Sequence, residues 1–185
     1  MKNDPLEAID SRPVYENCLP LSWDTPDSKP DPAALLAIQN ENEEALKIIC
    51  SLDEAHLEND EPQSVHAQQL MRLDAKVDFL MDMVGQLLLN SLTIPAPTKM
   101  SLSADGIQWI DRRAPDVSDY IHVQLYLKVK YPKPVILPAL VRSVNKVEEG
   151  YKITSEFDSL SAGVEEWIEK LIFRHHRRAI ALSRR

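Results

Sequence analysis

The period of the apolar positions divides this chain into parts. From Gln63 to Leu92, the residues Leu70, Leu73, Val77, Leu80, Val84 and Leu87 follow one another at steps of three, four, three, four and three. That spacing is a heptad seam, about three heptads long, with Leu70, Val77 and Val84 at a and Leu73, Leu80 and Leu87 at d. Met81 and Leu88 at e and Met83 at g widen the stripe. A two-stranded coil usually carries charges there, so the pattern fits either a bundle of more than two helices or packing on the helix's own domain. Length decides between them. A helix of about 28 residues runs to roughly 42 Å, more than a domain of the remaining size covers along one side. Part of it should project and meet other copies of the chain.

A second helix precedes the rod. Asp31 before Pro32 pairs an N-cap carboxylate with proline at the first helical position, and Leu35, Leu36, Ile38, Leu46, Ile48, Ile49 and Leu52 recur at helical spacing until Asn59-Asp60-Glu61-Pro62. Past Pro95 and Pro97 the period falls to two. Ile121, Val123, Leu125, Leu127 and Val129 alternate with polar residues and predict one long strand. Tyr151, Ile153 and Phe157 predict another, and 99–103, 106–110 and 135–144 are shorter candidates, the last broken by Pro138. Leu160, Val164, Trp167, Ile168, Leu171 and Ile172 then mark an amphipathic helix. The fold class is α+β: a small antiparallel barrel or curled sheet of five strands, preceded by a long heptad helix and followed by a C-terminal helix. The boundaries read as 1–31, 32–61, 62–94 and 95–185.

Six prolines fall within the first 32 residues, among acids and few periodic apolar side chains. Such a segment does not offset its own ordering entropy, so an extended, mobile arm is expected, with Tyr15, Leu19, Leu21 and Trp23 able to pin it to a partner surface. The charge is uneven: 15 acids against 4 bases in residues 1–61, and 14 against 17 in the rest. An acidic first third repels phosphate backbones, so no DNA partner is expected; the basic tail suits an acidic partner or a membrane surface. Two cysteines and no export signal point to a reducing, cytoplasmic setting, and no stretch approaches a membrane span.

No catalytic or metal-binding constellation stands out. Four glycines are too few and too scattered for a phosphate loop, and no nucleophile elbow or metal-ligand spacing occurs. His66 sits at a d position, where it sets register; His122 falls on the wet face of a strand; His175 and His176 adjoin arginines on a solvated or anion-facing stretch. The expected protein is not an enzyme and holds no metal.

One local pattern is more specific. Ser101-Leu-Ser103-Ala-Asp-Gly106 followed by Ile107-Gln-Trp109 resembles the (Asp/Asn)-x-Ser-x-x-Gly element of PilZ domains, six-stranded barrels that act as receptors for cyclic di-GMP. Leu140-Val-Arg-Ser-Val144, the turn at Gly150 and Tyr151–Phe157 resemble that family's later strands, and the resemblance covers roughly residues 95–185. It implies a ligand-binding element at Ser101, Ser103 and Gly106. The family's Arg-x-x-x-Arg switch, which would lie some two dozen residues earlier, has no counterpart, because 73–97 contains no arginine. Ser101 also replaces the motif's first carboxylate or amide. Two missing charged donors, each worth roughly 1.5–3 kcal/mol, weaken affinity on the order of a hundredfold or more.

The chain is thus similar to atypical PilZ proteins of xanthomonads, in which a long heptad helix assembles PilZ domains into tetramers. That likeness implies a cytoplasmic, non-enzymatic signalling or scaffold protein in motility, type IV pilus or virulence control, with weak or absent cyclic di-GMP binding. The alternative is a genuine receptor that recruits Arg112, Arg113 or the tail. A third reading is a membrane or nucleic-acid contact through Arg174, Arg177, Arg178, Arg184 and Arg185.

Overall fold

The period-two segments become strands of one closed antiparallel barrel. The computed structural model describes residues 14–54, 65–128 and 131–183. Its strands are β1 (Tyr15–Asp24), β2 (Pro97–Leu102), β3 (Gly106–Asp111), β4 (Tyr120–Leu125), β5 (Val135–Val147) and β6 (Gly150–Phe157). Around the barrel they run β1-β2-β3-β6-β5-β4. The helices are α1 (Pro32–Glu54), α2 (Val65–Ser91) and α3 (Ala162–Ser183). Asp31 starts α1 as its position predicts: its side-chain oxygen accepts from the Ala34 amide at 2.8 Å.

The first correction concerns the expected mobile arm. Tyr15–Asp24 is instead a barrel strand, pairing with β2 from Tyr15↔Leu102 to Pro20↔Pro97 and with β4 from Leu21↔Leu125 to Asp24↔His122. Tyr15, Leu19, Leu21 and Trp23 occupy alternate positions, and Tyr15 and Leu21 are buried. The surface that pins them is this chain's own barrel, so its strands number six rather than five. The rest of that arm, 1–13, lies outside the described residues, as do the expected end of the acidic helix over 55–61 and the start of the rod over 62–64.

Two strand boundaries also differ. β4 ends at Leu125, where the Tyr126 amide leaves the β5 ladder to donate to the Pro20 carbonyl at 3.0 Å, and a Lys128↔Tyr131 bridge follows. The expected run to Val129 is therefore cut short. β5 passes through Pro138 unbroken. The Pro138 carbonyl accepts from the Asp158 amide at 2.9 Å, and N–H and C=O of one residue point to the same neighbour. The missing donor thus faces the β6 side just past Phe157, where no ladder bond is lost. The irregularity sits instead between Val141 and Ser143.

Ile107, Trp109, Ile121, Val123, Leu125, Val135, Leu137 and Ile153 are almost wholly buried in the barrel. Beside it, α1 and α3 bury Ala45, Leu46 and Ile49 and Val164, Ile168, Leu171 and Ile172 in the same core cluster. Two buried amides fasten α1. The Asn42 side chain donates to the Ile136 carbonyl at 2.6 Å and accepts from the Ile136 amide at 2.8 Å. Gln39 bridges the next loop, donating to Ser159 O at 3.1 Å and accepting from Ser161 N at 3.2 Å. Asn42 thus satisfies Ile136 on the edge of β5 where the β6 ladder has ended, and Gln39 satisfies backbone groups in the loop after β6.

The β1–α1 connection is held by Lys29, whose ammonium lies 2.8 Å from Asp158 Oδ2 and 4.9 Å from the centre of the Tyr120 ring. The Lys29 hydrogen bond, aided by Ser159 and by the charges of Lys29 and Arg142, holds the Asp158 carboxyl below its ordinary value of 3.8. Burial and the nearby Asp158 charge push the Tyr120 phenol up.

Two outcomes are expected. Asn42→Leu strands both backbone groups of Ile136 and should cost about 1–3 kcal/mol, read from the urea midpoint. Because the folded-state pKa of Asp158 is depressed, its contribution is present above the unfolded value and disappears as pH falls through the folded one. The melting-temperature gap between the wild type and Lys29→Met should therefore narrow on going from pH 6 to below pH 3.

Candidate functional site

The rod forms as its spacing predicts. α2 has 27 residues, a length of about 40 Å. It packs broadly against no other described element, and its seam faces outward. Leu70, Leu73, Val77, Leu80, Val84 and Leu87 range from 48% exposed at Val77 to 68% at Leu87. Met83 and Leu88, at g and e, are exposed as well. So is Phe79, an aromatic residue at a c position that a seam of a and d positions alone does not reveal. In a single chain this helix thus carries its apolar surface in water.

The serine–glycine element forms the tight turn between β2 and β3. The Ser103 amide donates to the Gly106 carbonyl at 2.9 Å, and the Gly106 amide donates to Ser103 Oγ at 3.1 Å. A Cβ at residue 106 would collide with the Ser155 carbonyl oxygen on β6, so glycine is needed for the strands to approach. Gln108 donates to Thr154 Oγ1 at 2.9 Å, and the Ser155 hydroxyl to Ile107 O at 3.3 Å. The cavity left among Ser101, Ser103, Gly106, Thr154 and Ser155 is about 30 Å³, room for a water molecule. Ser103 and Gly106 are thus engaged by the turn itself. Ser101 opens on a different, shallow groove of about 300 Å³ with Glu16, Lys99 and Lys152.

Arg112 and Arg113 are not beside that turn. They follow β3 at its far end, roughly 20 Å away at about 3.3 Å per residue. Both guanidinium groups are exposed, and Arg113 lies 5.0 Å from the centre of the Trp23 ring. They line a groove of about 720 Å³ near Pro95 and Pro97. The candidate ligand residues therefore fall into two groups at opposite ends of one strand.

Four of the remaining candidates have structural partners. Arg174 donates to the Cys50 carbonyl at 3.0 Å, and the Arg177 guanidinium lies 5.8 Å from the Phe173 ring. His175 meets Tyr15 edge-on at 4.4 Å and so helps seat β1 on α3, where the sequence pointed to a solvated or anion-facing residue. His122 is similarly half-covered rather than wet, with its ring against Tyr120 and Nδ1 3.7 Å from Asp24 Oδ1. Arg184 and Arg185 lie outside the described residues. Among those described, no cluster of three His, Cys, Asp or Glu could hold a metal, and no helix is long and apolar enough to cross a membrane.

Comparison with known proteins extends this picture. A search of curated proteins gave no match. Among solved structures, a pathogenic protein from Xanthomonas campestris, described as a tetrameric PilZ domain self-assembled via an unusual helical bundle, superposes with a TM-score of 0.77 at 22% identity, covering 96% of this chain and 97% of that one. The Bacillus subtilis inhibitor of motility MotI/DgrA gives 0.38 at 19% identity over 44% and 42% of the two chains, and Escherichia coli YcgR in complex with c-di-GMP gives 0.39 at 16% over 47% and 38%. The sequence profile "Atypical PilZ domain, cyclic di-GMP receptor" matches residues 46–185, from the middle of α1 to the end of the chain. With most of its length matched and a closed six-stranded barrel flanked by helices, this chain belongs to the atypical PilZ domain family of cyclic di-GMP receptors.

Proposed function

We propose that this protein is a non-enzymatic signalling scaffold: a homo-oligomer, most simply a tetramer, in which α2 rods associate through their seams and carry the barrels outward to other proteins. One observation carries the reading, the exposure of the whole seam in a single chain. Burying a large aliphatic side chain contributes roughly 1.5–3 kcal/mol, so six supply on the order of 10 kcal/mol per helix before the entropy of association is subtracted. The apolar e and g positions favour more than two strands over a narrow pair. The helical bundle named for the Xanthomonas protein supports the same arrangement. A cytoplasmic setting and a role in motility, type IV pilus or virulence control accompany the resemblance.

Direct binding of cyclic di-GMP is weak or absent in this reading. Ser103 and Gly106 are engaged within their turn, no arginine occurs in 73–97, and Arg112 and Arg113 stand at the other end of β3. The family's description as a receptor favours the second reading, binding through those two arginines from their own groove.

Two measurements separate the possibilities. Leu73→Asp with Leu80→Asp should convert the oligomer to monomers by light scattering, with the barrel's circular dichroism retained; an unchanged mass removes the scaffold. Calorimetry with cyclic di-GMP should show no submicromolar binding. Tight heat release that is lost on substitution of Arg112 and Arg113 by alanine establishes the receptor instead.

A further inference from the structure

At the foot of the rod the barrel is one strand short. β1 pairs with β2 only as far as Pro20↔Pro97, and its last four residues, Leu21–Asp24, pair with β4 alone. On the other flank, Thr98 Oγ1 still reaches the Ile110 carbonyl at 2.7 Å, but before Pro97 the chain has come from α2. Pro95 and Pro97 have no N–H to donate. No described strand therefore lies between the Leu21–Asp24 edge of β1 and the end of β3. The groove of about 720 Å³ occupies this split, with Leu21, Ser22, Pro95, Ile110, Arg112 and Arg113 in its lining.

The two lips are tied together. The Trp23 indole on β1 donates to Asp111 Oδ2 on β3 at 2.8 Å, and Asp111 Oδ1 accepts from the Arg113 amide at 3.1 Å. With Arg113 stacked 5.0 Å from the ring centre, the indole fixes that guanidinium in place. Among the described residues neither Arg112 nor Arg113 forms an ion pair, while the nearby Lys99 is shared with Glu149 at 3.8 Å. The Asp24 carboxylate turns toward β4, accepting from Gln124 at 2.9 Å. The split thus combines a strand edge, a partly apolar lining and three basic groups, Lys99, Arg112 and Arg113, against two carboxylates, Asp111 bound to Trp23 and Glu149 paired with Lys99.

We propose that this groove docks an extended, acidic segment of a partner protein. The edge of β1 offers backbone hydrogen bonds in place of the missing part of β2. The apolar lining takes alternate side chains of the segment, and Arg112 and Arg113 receive its carboxylates, for which a guanidinium fork is the matching donor. A nucleotide fits less well, because the Trp23 face on which a base would stack is taken by Arg113. The site lies at the opposite end of β3 from the Ser103–Gly106 turn, and it requires neither rod association nor the dinucleotide. An assembly of several barrels would add avidity to a modest single-site affinity.

The test pans a phage-displayed random octapeptide library on the immobilised full chain and measures one selected, fluorescein-labelled peptide by anisotropy. Selected sequences should alternate acidic with apolar residues, and Arg112→Glu should weaken the peptide at least tenfold while its melting temperature and oligomer mass stay at wild-type values. Lys47→Glu, the same charge change on the exposed face of α1, should leave affinity within twofold. Arg112 is exposed and outside the Trp23–Asp111 bridge, so its reversal tests charge without loosening the lips. Absence of selected peptides, selection without acidic enrichment, or affinity unchanged by Arg112→Glu overturns the proposal.

Discussion

The pairing of β1 with β2 is the constraint on which the architecture turns. These strands are hydrogen-bonded neighbours in the closed barrel, yet both α1 and α2 lie between them in the chain. The helices are therefore an insertion into a barrel rather than a domain placed before one. Closing so long a loop costs entropy that grows only slowly with its length, and ladder bonds together with the burial of Tyr15 and Leu21 offset it. Closure also removes most of the sheet edges that would otherwise invite aggregation.

From that constraint the two helices acquire different fates. α1 lies against the barrel because Asn42 completes the backbone hydrogen bonds of Ile136 on β5 and Gln39 those of Ser159 and Ser161 after β6, and because Ala45, Leu46 and Ile49 share a core with α3. Once α1 and α3 cover that flank, α2 packs broadly on nothing described, and its apolar seam stays in water. The chain must return from α2 to β2 through Pro95 and Pro97, which have no N–H to donate, and the ladder with β1 ends at Pro20↔Pro97. The same connection that frees the rod thus opens the split beside Arg112 and Arg113.

Much of this was legible in the linear pattern. Steps of three and four along Leu70 to Leu87 and the Asp31-Pro32 start both returned the expected helices, and the alternation from Ile121 onward returned a strand, shortened at Leu125 where the Tyr126 amide turns to Pro20. β1 was harder to read. Its alternate apolar residues were in view, but the surrounding prolines and acids describe an unfolded segment when only local composition is weighed, and its ladder partners lie far away in sequence. The candidate site divided similarly. Ser103 and Gly106 were recognisable as a motif, whereas Trp23, Asp111 and Arg113 meet only because β1 and β3 face each other across a gap.

The sequence by itself determined the elements whose signals are local: helix period, N-cap, alternating strand faces, the serine–glycine motif and the absence of a switch arginine pair. Each depends on residues within a few positions of one another. Tertiary structure alone decided that the acidic arm supplies the sixth strand, that two buried amides hold α1, and that the arginines stand at the other end of β3 from the turn. Those outcomes depend on hydrogen bonds and packing between residues far apart in the chain, and no local pattern encodes which distant backbone will be left without a neighbour.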